Sequence, residues 1–273
     1  VAAAIPAYMY GHIGLAFGLA ATGEAILLLA ALRWSNIDLA RAAVLTLAVI
    51  IFQALLGKWT VTLLLKPIIV MAHLMGGLLT FSLITWMAWR ATHLPIRLAN
   101  AATVRRWVYA ALAVLGLQIA LGGWVSANYA ALACGGGGWS TGASHYLDFP
   151  KCVGQWWPQA DFREGFVLWR GVGVDYEGGI LDGQSRIAIQ LAHRIGAVAA
   201  FAVLIALAVK LLRTPGMRGW GSTLAALPVV QVALGILNVK LALPLWLAVM
   251  HNAGAALLLF VLVSLLARVQ EPD

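Results

Sequence analysis

The stretch AAVLTLAVIIFQALLGKWTVTLLLKPIIVMAHLMGGLLTFSLITWMAW, residues 42–89, decides the fold. Apart from Lys58 and Lys66 it carries no charge, and it divides before Pro67 into two apolar runs, 42–59 and 67–89. At about 1.5 Å per residue each run matches the ~30 Å hydrocarbon core of a bilayer, and each is too long for a strand. Working outward, comparable runs occupy 6–32, 107–125, 187–212, 221–239 and 244–266. The sequence therefore predicts an all-α polytopic membrane protein of about seven transmembrane helices. Composition agrees. Of 273 residues, 62% are hydrophobic and 10% charged, against roughly 45–50% and 25% in soluble domains. That balance excludes both a soluble globular domain and a disordered chain. Val1 stands first, with no basic segment or cleavage site ahead of the first run, which reads as a processed or incomplete start.

The net charge of +8 follows from topology. Arg33, Arg41, Arg90, Arg97, Arg105, Arg106, Lys210, Arg213, Arg218 and Arg268 all fall in three short loops and the C-terminal tail. By the positive-inside rule that side is cytoplasmic, the N-terminus is outside and the C-terminus inside. The long connection, 127–185, carries Asp148, Asp161, Glu164, Asp175, Glu177 and Asp182 against Lys151, Arg163 and Arg170, and belongs to the outer face. A nucleic-acid role is excluded on these grounds, and the lipid bilayer is the first partner.

An internal repeat organises the chain. Gln53, Leu56, Gly57, Thr60, Val61, Pro67 and His73 recur in order as Gln231, Leu234, Gly235, Asn238, Val239, Pro244 and His251, with Gln and His 20 apart in both copies (73 − 53 and 251 − 231). A His also precedes each copy, His12 and His193. A third Q-x-x-L-G, at 118–122, ends the fourth span, which has no counterpart in the first half. The expectation is two pseudo-symmetric bundles of three plus four helices, with one N-terminal helix absent. They are an incomplete N-terminal bundle, 1–106, and a C-terminal four-helix bundle, 107–273, that includes the outer loop.

Four histidines lie inside spans, each six or seven residues past the start read for its helix: His12 after Pro6, His73 after Pro67, His193 after Arg186 and His251 after Pro244. That spacing sets all four roughly 9–10 Å along helices of one direction, hence at one depth. Bis-His ligation of a haem needs two imidazoles on facing helices at matching height, and the repeat offers His12 with His73 and His193 with His251. Zinc is a poorer match, because no Asp, Glu or Cys lies near to complete a tetrahedral site. A single intramembrane His also serves as an interhelical hydrogen-bonding group, and a set of them can relay protons in a transporter. Gly11, Gly14, Gly76, Gly77, Gly196, Ala253, Gly254, Ala255 and Ala256 beside the histidines admit a flat macrocycle, or simply close helix packing. Arg194 places a charge within the membrane and needs a partner, either a haem propionate or the outer interface. Glu24 is a carboxylate at membrane depth, read as structurally paired or lumen-facing, while His93 and His145 are read as solvated. Cys134 and Cys152, both on the outer face and joined by a Gly-rich segment, are expected to form a disulfide. The aromatic residues Trp156, Trp157, Phe162, Phe166 and Trp169 are expected to cap the bundle.

The segments LLGKWTVTLLLKPIIVMAHLMGG (55–77), LGGWVSANYAALAC (121–134), GQWWPQADFREGFVLWRGVGVDYEGG (154–179), LAHRIGA (191–197) and LPLWLAVMHNAGAALLL (243–259) together resemble the haem A synthase family. The resemblance covers nearly the whole chain. It implies two pseudo-symmetric four-helix bundles in a bacterial inner membrane, with His193 and His251 holding a resident haem b and His12 and His73 binding the substrate, haem O. The implied reaction oxidises a porphyrin methyl to a formyl by successive hydroxylations. It implies as partners a haem O synthase, an unspecified electron donor and a second copy of the chain. A membrane cytochrome b acting only in electron transfer is the alternative. The family pattern has a Glu three residues before its first His and an Arg after it; here Met9 and Ile13 stand there. A thioether neither ionises nor accepts a proton, so poor conversion of haem O is expected unless Glu24 or another acid substitutes.

Overall fold

The computed structural model describes residues 22, 37–135 and 149–272. The span read at 6–32, with Met9, His12 and Glu24, lies outside the described residues, as does His145. Among the described residues six helices are long and apolar enough to cross a membrane. They are α1 (Ile37–Thr62), α2 (Pro67–Thr92), α3 (Ala101–Ala127), α5 (Gly183–Leu212), α6 (Arg218–Lys240) and α7 (Leu245–Arg268). The four-residue α4 (Phe162–Gly165) lies in the long connection. The one sheet among these residues is a two-residue parallel pairing of β1 (Ile96–Arg97) with β2 (Val269–Gln270). Each helix overruns the apolar run that predicts it, because polar residues such as Asp38, Arg105 and Gln184 continue it past the hydrocarbon. The bundle division drawn after residue 106 accordingly falls inside α3.

Packing closes α3, α5, α6 and α7 into a ring in which α3 touches α5 and α7, and α6 touches α5 and α7. α2 packs on the outside of α3 and α7, and α1 packs on α2. The dry core fills the β1–β2 half of the ring. It includes Val104, Val108 and Leu115 of α3, Leu204, Leu207 and Leu211 of α5, Leu224 of α6 and Leu258, Leu262 and Leu265 of α7. Toward the long connection the inward positions change to Gln, Gly and His and are only half-buried.

The turns that join α1 to α2 and α6 to α7 share one geometry. Leu64 and Leu65 have φ of 51° and 58°, and Ala242 and Leu243 have 56° and 61°. The left-handed region costs roughly 1–2 kcal/mol for a residue with a Cβ, and each turn is clamped by a backbone bond, Leu65 N–H to Thr60 O (2.9 Å) and Leu243 N–H to Asn238 O (2.8 Å). Each following helix starts 14 residues after its Gln (67 − 53 and 245 − 231). Pro67 is therefore equivalent to Leu245, and Lys66 to Pro244, which corrects the proline pairing read from the sequence.

At the end bearing the long connection, the connection is tied to the helices at several points. Trp124 Nε1 donates to Gly165 O (2.9 Å), and the Tyr176 amide donates to Leu64 O (3.1 Å). Lys66 is fully buried, with Nζ 3.5 Å from the Trp169 ring centroid. Asp182 caps α5 through Ser185 N–H (2.7 Å). Cys134 and Cys152 are bonded and pack on Leu191 of α5, as expected.

Candidate functional site

Each described intramembrane His meets a Q-x-x-L-G segment on the neighbouring helix. On an antiparallel pair of helices, Gln and the Gly four residues later share one face, and His and the Gly three residues later share the opposing one. The two faces interlock. A Cβ at Gly57 would stand 3.3 Å from Cε1 of His73, one at Gly122 would stand 3.1 Å from Cε1 of His193, and one at Gly235 would stand 3.0 Å from Cε1 of His251. In the opposite sense, a Cβ at Gly76 would collide with the amide of Gln53, one at Gly196 with that of Gln118, and one at Gly254 with that of Gln231. Every imidazole thus fits against a glycine, and every amide fits against another.

Hydrogen bonds complete two of these interlocks. Gln118 Nε2 donates to His193 O (3.1 Å) and lies 3.0 Å from His193 Nδ1, and Gln231 Nε2 donates to His251 O (2.9 Å). Oε1 of both glutamines is buried without a partner, and so are Nδ1 of His251 and Nε2 of Gln53. Orphaned polar atoms inside a helix bundle are costly and call for explanation.

His193 on α5 and His251 on α7 stand on diagonal members of the ring. The helix starts differ from those read in the sequence. α5 begins at Gly183, so His193 lies ten residues in (193 − 183), against six for His251 and His73 (251 − 245 and 73 − 67). The extra turn belongs to the part of α5 that rises into the connection. Arg194 turns toward the disulfide segment, where one guanidinium nitrogen donates to Pro150 O (3.2 Å) and Lys151 O (3.3 Å). Its Nε is buried and unpartnered.

Sequence reasoning brought forward the histidines, the Q-x-x-L-G repeats and the neighbouring glycines but did not pair them. The usable signal was the coincidence of three Q-x-x-L-G with three H-x-x-G, at His73, His193 and His251. His93 is exposed, as read, and its ring rests on Trp89 at 4.3 Å between centroids, with Nδ1 2.7 Å from Thr92 Oγ1. No group of three or more His, Cys, Asp or Glu suited to a metal occurs among the described residues.

Fold and site together define a polytopic helical membrane protein built on a recurring Gln–His interlock. The profile of COX15-CtaA, the cytochrome oxidase assembly protein family, matches residues 3–263. The chain belongs to that family. It is 38% identical to a haem A synthase of Shewanella oneidensis over 79% of this chain and 62% of the relative. It is 31% identical to a haem A synthase of Caulobacter vibrioides over 81% of this chain and 60% of that relative. The chain thus spans about three fifths of the length of these relatives.

Proposed function

We propose that this protein acts in haem A synthesis, oxidising the methyl group of haem O to a formyl, with His193 and His251 holding a resident haem b. The observation that carries the reading is the pair of half-buried imidazoles on diagonal helices of the four-helix ring. Family membership and the two relatives named haem A synthase supply the reaction class.

The residues fit a haem on three counts. Two imidazoles on diagonal helices of the ring, with no thiolate or carboxylate beside them, are the donor set of a bis-His iron rather than of a zinc site. Glycine at 122, 196, 235 and 254 keeps the backbone close and the ring edges free of Cβ atoms. The unpartnered Nε of Arg194 offers a charge-assisted donor to a propionate. A haem bound there supplies a reversible iron couple. His193 and His251 would hold it, Arg194 would offer a donor to a propionate, and the apolar layer around Leu115, Leu204 and Leu258 would exclude water.

His73 repeats the same interlock with Gln53 and Gly57, and with His12 is proposed to bind the substrate, haem O, received from a haem O synthase. The multi-pass fold sits in a bacterial membrane. Charge bias puts the β1–β2 end in the cytoplasm and the disulfide in the oxidising outer compartment. Expression of this chain with a supply of haem O, followed by analysis of the extracted haem, tests the assignment. Low conversion by the unaltered chain, raised in a Met9→Glu variant, with haem A or a hydroxylated intermediate as the product, is the expected result. Recovery of haem O and haem b alone from both would overturn it.

A further inference from the structure

We propose that the β1–β2 end of the molecule holds the phosphate of an anionic phospholipid, bound between Arg90 at the end of α2 and Arg268 at the end of α7. The proposal is independent of the haem reading, since the dry core separates this end of the bundle from the histidines.

The last turns of α2 and α7 meet here. Arg268 Nη2 donates to Leu94 O (3.3 Å), and its guanidinium stands 4.9 Å from the centroid of the Trp89 ring. Arg90 stands 5.7 Å from the centroid of Trp86. A cavity of about 400 Å³ opens between the two helix ends, lined by Arg90, Thr92 and His93 from α2 and its exit and by Ala267 and Gln270, on either side of Arg268 in the chain.

What these cations lack is an anion. Both are half-buried, neither meets a carboxylate among the described residues, and Nε of Arg268 is buried without a partner. Among the described residues no acid lines the cavity. Glu271 lines a second cavity of about 360 Å³ that shares Gln270, and there Arg105 and Arg106 outnumber it. A guanidinium lying over an indole with N–H groups to spare takes an oxyanion in charge-assisted hydrogen bonds.

The apolar surroundings make that oxyanion a lipid's. Phe81 of α2 is 39% exposed and meets Phe260 of α7 with ring centroids 6.3 Å apart, so the seam between these helices presents apolar surface on the approach to Arg90. Leu94, on the cavity wall, is 85% exposed. Acyl chains along the seam and a phosphate at its end match this succession of surfaces, and basic pockets between helix ends on the cytoplasmic side suit anionic headgroups. Positive-inside bias alone accounts for exposed arginines such as Arg213 and Arg218 in the α5–α6 turn, but not for half-buried ones gathered at a cavity. A phospholipid held here ties α2, and α1 with it, to the ring.

The test is native mass spectrometry and thermal unfolding of the full chain in a neutral detergent, with phosphatidylglycerol, phosphatidylethanolamine or inorganic phosphate added at equal concentration. Phosphatidylglycerol is expected to stay bound and to raise the unfolding temperature, and the other two to do neither. Arg90→Gln and Arg268→Gln are each expected to weaken phosphatidylglycerol binding about fivefold. Arg213→Gln and Arg218→Gln, on the same side of the membrane, are expected to leave it unchanged. Arg268 also holds Leu94 O, so Arg90→Gln decides the matter if Arg268→Gln does not fold. Equal stabilisation by inorganic phosphate would overturn the lipid assignment. Binding undiminished in Arg90→Gln, or weakened as much by the Arg213 and Arg218 changes, would overturn the site.

Discussion

Gly235 and His251 are fitted to each other across the α6–α7 interface: the Cβ that Gly235 lacks would stand 3.0 Å from Cε1 of the imidazole and 3.6 Å from Nδ1. The contact is tight enough that a methyl displaces the ring by a few tenths of an ångström rather than merely touching it.

Gly235→Ala therefore sets two effects against each other. Helix propensity gains about 1 kcal/mol, while overpacking costs about 1–3 kcal/mol. Global stability should move little, yet the ring should be tilted. Haem retention and the ferric spectrum are expected to change, and Gly57→Ala, with 3.3 Å of clearance at His73, is expected to be milder. Titration of the purified variants with haem checks the order.

The glycines facing the amides should respond more strongly. A methyl at Gly254 collides with Gln231, and one at Gly196 collides with Gln118 and comes within 2.9 Å of Leu121 Cδ1. Gly77 has nothing within 4 Å of its Cβ position. Gly77→Ala should leave thermal stability in detergent unchanged or slightly raised, whereas Gly196→Ala and Gly254→Ala should lower it. Equal behaviour of the three would show that the interlock is not a tight contact.

Loss of the Cys134–Cys152 bond releases a loop of sequence separation 18. For a loop of that size the chain-entropy account gives about 3 kcal/mol. Cys134→Ser with Cys152→Ser should lower the unfolding temperature, and reduction of the unaltered protein should match it. The bond packs on Leu191, and Arg194 holds the carbonyls of Pro150 and Lys151, so added protease should cut the connection sooner in both.

Asp182 gives a pH dependence with a definite sign. Its carboxylate accepts the Ser185 amide at the start of α5, and that bond, with Ser185's side chain next, holds its pKa below the usual carboxylate range. The stabilisation is present above the unfolded pKa of about 3.9 and is lost as pH falls through the lower folded value. Asp182→Ala should cost about 1 kcal/mol at neutral pH. Asp182→Asn keeps a cap without a titrating group and should flatten the acid side of the stability profile, measured by thermal unfolding between neutral and acid pH.

The spans were legible because long uncharged runs have few alternatives; residues 67–89 became Pro67–Thr92, and 244–266 became Leu245–Arg268. The disulfide was legible from two cysteines on one side of the membrane. What escaped the sequence depends on which helices meet. The third Q-x-x-L-G had no evident partner until α3 was found against α5, where Gln118 faces His193. The start of α5 was read at Arg186, but the helix begins at Gly183, where Asp182 caps it. The burial of Lys66 beneath Trp169, more than a hundred positions later, has no local signature at all.

The most direct test of the account is haem binding at the ring of α3, α5, α6 and α7. The measurement is the reduced-minus-oxidised absorption spectrum and haem content of the purified chain beside His193→Ala and His251→Ala. The predicted result is a low-spin bis-imidazole haem b spectrum in the unaltered protein that is lost when either histidine is replaced. The same spectrum and the same haem content in all three proteins would contradict it.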